Sequence, residues 1–266
     1  MWYVCPLPLL GRHPLMSVCL VHRWLYVHAG ILHRDLSIKN IMCRLVKKSR
    51  EGKMELVWDV YGVLTDYDLS SWVDTLNPDY TKTSQQRTGT PPYMAQELLK
   101  GTSPVHLYRH DVESFFYIML LIAARHTIKT PEGEEKPRVM MRRSRRLPFQ
   151  KWFNEQSYDT LGSLKGTFFS DMQRIELSRV FEDFRPWLRV LQHCFSTGFK
   201  RKPDRSYDDL PDWFRAGNGP AVSQFDDETL GGYIKYDAII KPATHLHGAL
   251  EGLVVRDPRF PSVPAS

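Results

Sequence analysis

Ahead of Asp35 the chain contains no lysine, no aspartate and no glutamate, and its only glycines there are Gly11 and Gly30. A segment with two well-separated glycines and no lysine cannot fold a glycine-rich turn over phosphates and grip them with a strand lysine. Cysteine is also scarce. Cys5, Cys19, Cys43 and Cys194 are scattered, with no CxxC pair and no histidine at metal-ligand spacing. That argues against a disulfide framework or a zinc site, and for a reducing, intracellular compartment, cytoplasmic or nuclear. Long apolar runs are missing too. The stretch FFYIMLLIAA (Phe115–Ala124) is too short to cross a bilayer and reads as a buried helix. The apolar start, up to Val21, lacks a charged beginning and is broken by Pro6, Pro8, Arg12, His13 and Pro14, which argues against a signal peptide or anchor. No membrane partner is expected.

The net charge is mild, +6 from 36 basic and 30 acidic residues among 266. The excess is concentrated in KPRVMMRRSRRL (Lys136–Leu147), which holds no acid. It reads as a solvated loop within a basic insert over 127–147; the alternative is a nuclear-import or polyanion-binding patch. No specific nucleic-acid binding is expected.

The periodicity predicts a mainly helical chain with one small β-hairpin and no internal repeat. LVHRWLYVHAG (Leu20–Gly30) has helical spacing and a terminal glycine stop. Two β-rich runs follow, around the turn-forming SREGK. Residues 67–92 read as a long polar loop, YMAQELLKG as a short helix closed by Gly101, and an apolar helix opens near His110 with Asp111 in its first turn. From Pro148 to about Leu210 the pattern is helical again, and the Gly- and Pro-rich tail reads as loosely packed. The expected division is a weakly structured 1–19, a main unit over 20–210 and an extension over 211–266.

The chemistry sits in HRDLSIKN (His33–Asn40) and LTDYDLS (Leu64–Ser70). Phosphoryl transfer asks for an aligned hydroxyl and positive charge around the phosphates, usually magnesium held by oxygen ligands. Asp35, Lys39 and Asn40 offer a proton acceptor, a cation and a metal oxygen, and Asp66, beyond the hairpin, offers a second metal oxygen. One such spacing is weak, but GTPPYMAQE (Gly89–Glu97), YRHDVESFF (Tyr108–Phe116) and KRKPDRSYDDL (Lys200–Leu210) follow in order.

In that order the motifs resemble the C-terminal lobe of eukaryotic protein kinases, and in detail the fungal-type protein kinase family, which favours a GILHRD lead-in, a DFD-like metal motif and an RHDxESFFY helix. The resemblance covers roughly Leu20 to Leu210. It implies a protein-kinase-like C-terminal lobe, with the N-terminal lobe absent from the chain, that uses ATP and Mg²⁺ to phosphorylate Ser or Thr hydroxyls of a protein substrate. By the same resemblance Asp35 is the catalytic base, Asn40 and Asp66 are Mg²⁺ ligands, and Met42 lies beneath the adenine. Thr90 bonds Asp35 and shapes the substrate loop. Glu97 pairs with Arg205, preferred over Arg201, and Asp111 holds the backbone of the catalytic loop. Thr81, Thr83, Ser84 and Thr88 occupy the activation-loop position, where a phosphate could pair with Arg34.

Departures from the family pattern are Ser37, where a lysine is usual, and Gln96 in place of proline. Tyr67-Asp68 replaces Phe-Gly, which removes a backbone hinge. Lys39 stands at the offset where tyrosine kinases place an arginine, which leaves Tyr preference open. Two other readings compete. One is a catalytically inactive lobe, a pseudokinase, that binds a partner protein. The other is a small-molecule kinase of aminoglycoside or choline type, against which GTPPYMAQE stands.

Overall fold

The structure is a computed structural model that describes residues 2–4, 12–49, 56–73, 89–101, 105–129, 138–142, 147–203 and 225–236. It is mostly helical with small sheets. Helix α1 spans Arg12–Ala29, starting before the expected Leu20. Pro14 falls in the first turn, where its missing N–H has no intrahelical partner to lose. Val18 and Cys19 are buried, so this part of the 1–19 segment is structured rather than a loose remnant. The helix ends as its glycine predicts. Gly30 has φ +61 and donates its N–H to the Tyr26 carbonyl at 3.2 Å.

Short strand β2 (Ile31–Leu32) leads into the loop of residues 33–40, whose last turn, Ile38–Asn40, is 3₁₀. Strands β3 (Ile41–Ser49) and β4 (Leu56–Leu64) form the expected hairpin, with its turn outside the described residues. An unanticipated strand, β1 (Trp2–Val4), pairs with the other edge of β3, aligning Val4 with Met42. Within the long polar loop, β5 (Ser71–Trp72) pairs with β2.

Helix α2 (Gln96–Lys100) stops at Gly101, φ +66. Helix α3 (Tyr108–Arg125) is buried along its whole length, which explains why Phe115–Ala124 is apolar all round, while its first two turns bury Arg109, His110, Asp111 and Glu113. The basic insert differs from the expected loop. Within it, β6 (His126–Lys129) and β7 (Arg138–Met141) pair as antiparallel strands.

Helices α4 (Gln150–Asn154), α5 (Tyr158–Ser170) and α6 (Arg185–Arg201) surround α3, with a 3₁₀ segment, Arg179–Phe184, leading into α6. Phe116 and Tyr117 of α3 meet Trp152, Phe168, Phe169 and Phe195 in one aromatic core, with ring centroids 5.2–6.2 Å apart. Helix α2 approaches α5 closely because Gly162 has no side chain. A Cβ there would stand 2.8 Å from Lys100 Cγ and 2.9 Å from the Gln96 carbonyl.

The tail corrects another expectation. Residues 225–236 are packed, with Leu230, Ile234 and Tyr236 all buried in the core. Among the described residues no helix is long and apolar enough to cross a membrane.

Candidate functional site

Strand pairing builds the site. The loop of residues 33–40 joins β2 to β3, and residues 65–70 join β4 to β5. Because β3 pairs with β4 and β2 with β5, the two connections are held side by side. The hairpin register sets Ile41 against Leu64, and the ladder continues one step beyond. Thr65 donates its N–H to the Asn40 carbonyl at 2.9 Å and its hydroxyl to the same oxygen at 3.1 Å. Asp66 follows at once, exposed, with φ +65. Tyr67 packs its ring on His33, centroids 4.9 Å apart, and Val73 N–H closes the segment on the Gly30 carbonyl.

Asp35 is half-buried, and its carboxylate is oriented from two sides. Thr90 gives Oδ1 its N–H at 3.0 Å and its hydroxyl at 3.2 Å. Asn40 Nδ2 donates to the Asp35 carbonyl at 2.8 Å and to Oδ2 at 3.3 Å. With its nitrogen engaged there, Asn40 presents the amide oxygen to the far side. Lys39 is exposed beside it, and Met42 is half-buried on β3.

The loop's backbone is fixed from below by Asp111. This wholly buried carboxylate accepts His33 N–H at 2.9 Å and Arg34 N–H at 3.1 Å. Two imidazoles complete its shell, His22 Nε2 at 2.9 Å and His106 Nε2 at 2.8 Å. Burial alone would raise the Asp111 pKa, but His106 and His22 hold it well below the usual aspartate range. Arg34, anchored in this way, keeps the left-handed φ of +70 that a side chain disfavours. His33 is packed and neutral, as expected of a core histidine. Burial lowers its pKa, and its Nε2 donates to the Thr65 carbonyl at 2.9 Å.

Glu97 meets Lys202 Nζ at 2.7 Å, His110 Nε2 at 3.5 Å, and Arg109. The expected partner, Arg205, lies outside the described residues, as do Thr81, Thr83, Ser84 and Thr88. Arg201 instead lies over the Tyr233 ring, 5.3 Å from its centroid.

Two further buried groups escaped sequence reasoning. Lys165 donates to the carbonyls of Pro91, Pro92 and Met94 at 3.2, 3.0 and 2.5 Å, and sits 4.1 Å from the Tyr117 ring centroid. It thus clasps the backbone of GTPPYM. Glu113 takes the Gln96 N–H at 2.8 Å and the Tyr117 hydroxyl at 2.6 Å through Oε1. Its Oε2 has no hydrogen-bond partner among the described residues. Burial, partly offset by Tyr117, Gln96 and Lys165, pushes its pKa up to about 7. No local signal marked either: Glu113 follows Arg109, His110 and Asp111 in α3, and Lys165 stands among the Ser, Thr and Gly residues of α5.

Asn40 Oδ1 and the Asp66 carboxylate are oxygens of the kind that could hold Mg²⁺, which takes one or two protein oxygens and fills the rest of its shell from phosphates and water. No cluster of three or more His, Cys, Asp or Glu suited to an all-protein metal cage occurs among the described residues. Residues 13–123 match the family model described as fungal protein kinase. No curated protein and no solved structure gives a match.

Proposed function

We propose that this chain, whose residues 13–123 match the fungal protein kinase model, carries the catalytic loop, metal oxygens and substrate loop of a protein kinase that transfers phosphate from ATP to Ser or Thr hydroxyls. The observation that carries this reading is the pairing of β2 with β5 and of β3 with β4, which juxtaposes the loop of Asp35 and Asn40 with Thr65-Asp66.

In this reading Asp35 accepts the proton of the attacking hydroxyl. Its two oxygens are held in orientation by Thr90 and Asn40, so the carboxylate needs little rearrangement to receive a substrate. Lys39 supplies a flexible positive charge four residues on, in reach of a phosphate. Asn40 Oδ1 and the Asp66 carboxylate are the metal oxygens. Magnesium, when bound, neutralises charge on the phosphoryl group in transfer. Met42 forms the apolar floor for the base of the nucleotide. Thr90 and the backbone that Lys165 clasps shape the surface against which a peptide hydroxyl lies. Lys165, through three backbone carbonyls, and Glu113, through the Gln96 N–H, tie that surface to α5 and α3.

Thermal unfolding in millimolar Mg·ATP tests the reading. The chain is expected to gain several degrees, because a ligand at about 100 times its Kd stabilises by about 2.7 kcal/mol. Asp66→Asn, which weakens a metal oxygen without changing size, is expected to abolish the gain. No shift in the unaltered chain would leave a protein-binding lobe without nucleotide chemistry.

A further inference from the structure

The segment of residues 225–236 is fastened to α1, α3 and α6 at four points. Asp227 accepts Arg109 Nε on its carbonyl at 2.6 Å, and its carboxylate meets Arg109 at 3.1 Å and Lys202 at 2.8 Å. Glu228 takes the Tyr108 N–H, at the start of α3, at 2.8 Å and the Tyr26 hydroxyl at 3.0 Å. An acid at that helix start suits the dipole. Leu230 is fully buried against Gly198 of α6, where an added Cβ would stand only 2.7 Å from Leu230 Cβ.

The fourth point leads to the catalytic loop. The Tyr236 ring packs tilted against Tyr108, centroids 4.9 Å apart, and its hydroxyl lies 2.5 Å from His22 Nδ1. Asp111 can only accept, so His22 Nε2 carries the proton between them, while Nδ1 and the Tyr236 hydroxyl share the second hydrogen bond. The same Asp111 oxygen accepts the His33 N–H at 2.9 Å. One hydrogen-bonded chain therefore runs from Tyr236 through His22 and Asp111 to the backbone of the loop that bears Asp35.

We infer that residues 225–236 form a strap whose seating sets the conformation of the loop of residues 33–40, with Tyr236 and His22 as positioning residues for phosphoryl transfer. The inference rests on the reading of that loop as catalytic. Its test reads backbone amides and needs no activity, so the two can fail separately.

Two variants unseat the strap by different means. Tyr236→Phe removes one hydroxyl and keeps the ring packing. Gly198→Ala forces Leu230 to move while favouring the helix that contains it. Hydrogen exchange of the full chain is expected to become about tenfold faster at the His33 and Arg34 amides in both variants, the scale of one lost hydrogen bond. The amides of α5 from Leu164 to Phe168 are expected to keep their rates. Unchanged exchange at the two loop amides overturns the inference. So does acceleration spread evenly into α5, because the strap would then be an ordinary part of the fold.

Discussion

Asp35→Asn is expected to slow phosphoryl transfer to a peptide hydroxyl by about 10³-fold, the scale of a lost general base. The substitution leaves most of the surroundings in place and loses the 3.3 Å bond from Asn40 Nδ2 to Oδ2, where an amide nitrogen cannot accept. An asparagine oxygen can still accept both bonds from Thr90, and the bond from Asn40 to the backbone carbonyl of residue 35 does not involve the side chain. Stabilisation by Mg·ATP should therefore survive in the variant, because the proposed metal oxygens belong to Asn40 and Asp66. The check is the rate of label transfer from ATP to a Ser/Thr peptide library, run beside the thermal shift. A variant as fast as the unaltered chain would mean that the hydroxyl proton leaves by another route. Loss of the Mg·ATP shift together with the rate would assign Asp35 to binding instead.

The second large effect concerns stability. Glu97→Ala should cost about 3–5 kcal/mol, the usual result of breaking one side of a buried ion pair. Arg109 has no exposed side-chain surface and Glu97 only 13 %. Removing the carboxylate leaves the guanidinium with Asp227, which Lys202 shares. His110 does not enlarge the positive charge here. Burial drives its pKa down to about 3, so at neutral pH it meets Glu97 as a neutral ring. For Glu97 itself, burial alone would raise the pKa, but the bond from His110 and the charges of Arg109 and Lys202 bring it far below the ordinary 4.5. A carboxylate depressed in the fold stabilises above its unfolded pKa, and that stability is lost as pH falls through the folded value. Urea unfolding should thus show the full difference at pH 7 and a shrinking one below about pH 4.5. A difference within error at pH 7 would remove the cluster from the account of what holds α2 in place.

Legibility in the sequence followed distance along the chain. Gly30 and Gly101 announced the helix ends because a left-handed stop is a local requirement, and both adopt positive φ. The hairpin was readable from two β-rich runs that are neighbours in sequence. The loop of Asp35 and Asn40 was readable because its chemistry fits within six consecutive residues, Asp35 to Asn40. Arg109 was on view in RHD, yet nothing in its neighbourhood said that it would meet Glu97 and Asp227. Those pairings depend on how α2, α3 and the 225–236 segment come together. The strap reads as loose tail in the sequence because the stretch after Pro211 is rich in Gly and Pro. In the fold Gly231 and Gly232 supply positive φ of +67 and +86 in a turn that seats Leu230 and Tyr236. The early start of α1 was hidden by Pro14, a residue that breaks helices everywhere except their first turn.

The central claim is that Asp35, Asn40 and Asp66 surround one metal–phosphate position. Mn²⁺·ATP, titrated into the ¹⁵N-labelled chain, tests it most directly, since the paramagnetic ion broadens only nearby amide resonances. The account predicts that the backbone amides of Asp35 and Asp66 and the side-chain amide of Asn40 broaden together at the lowest ion concentrations, while those of α5 stay sharp. Broadening at Asp66 without Asn40, or at neither, would contradict it.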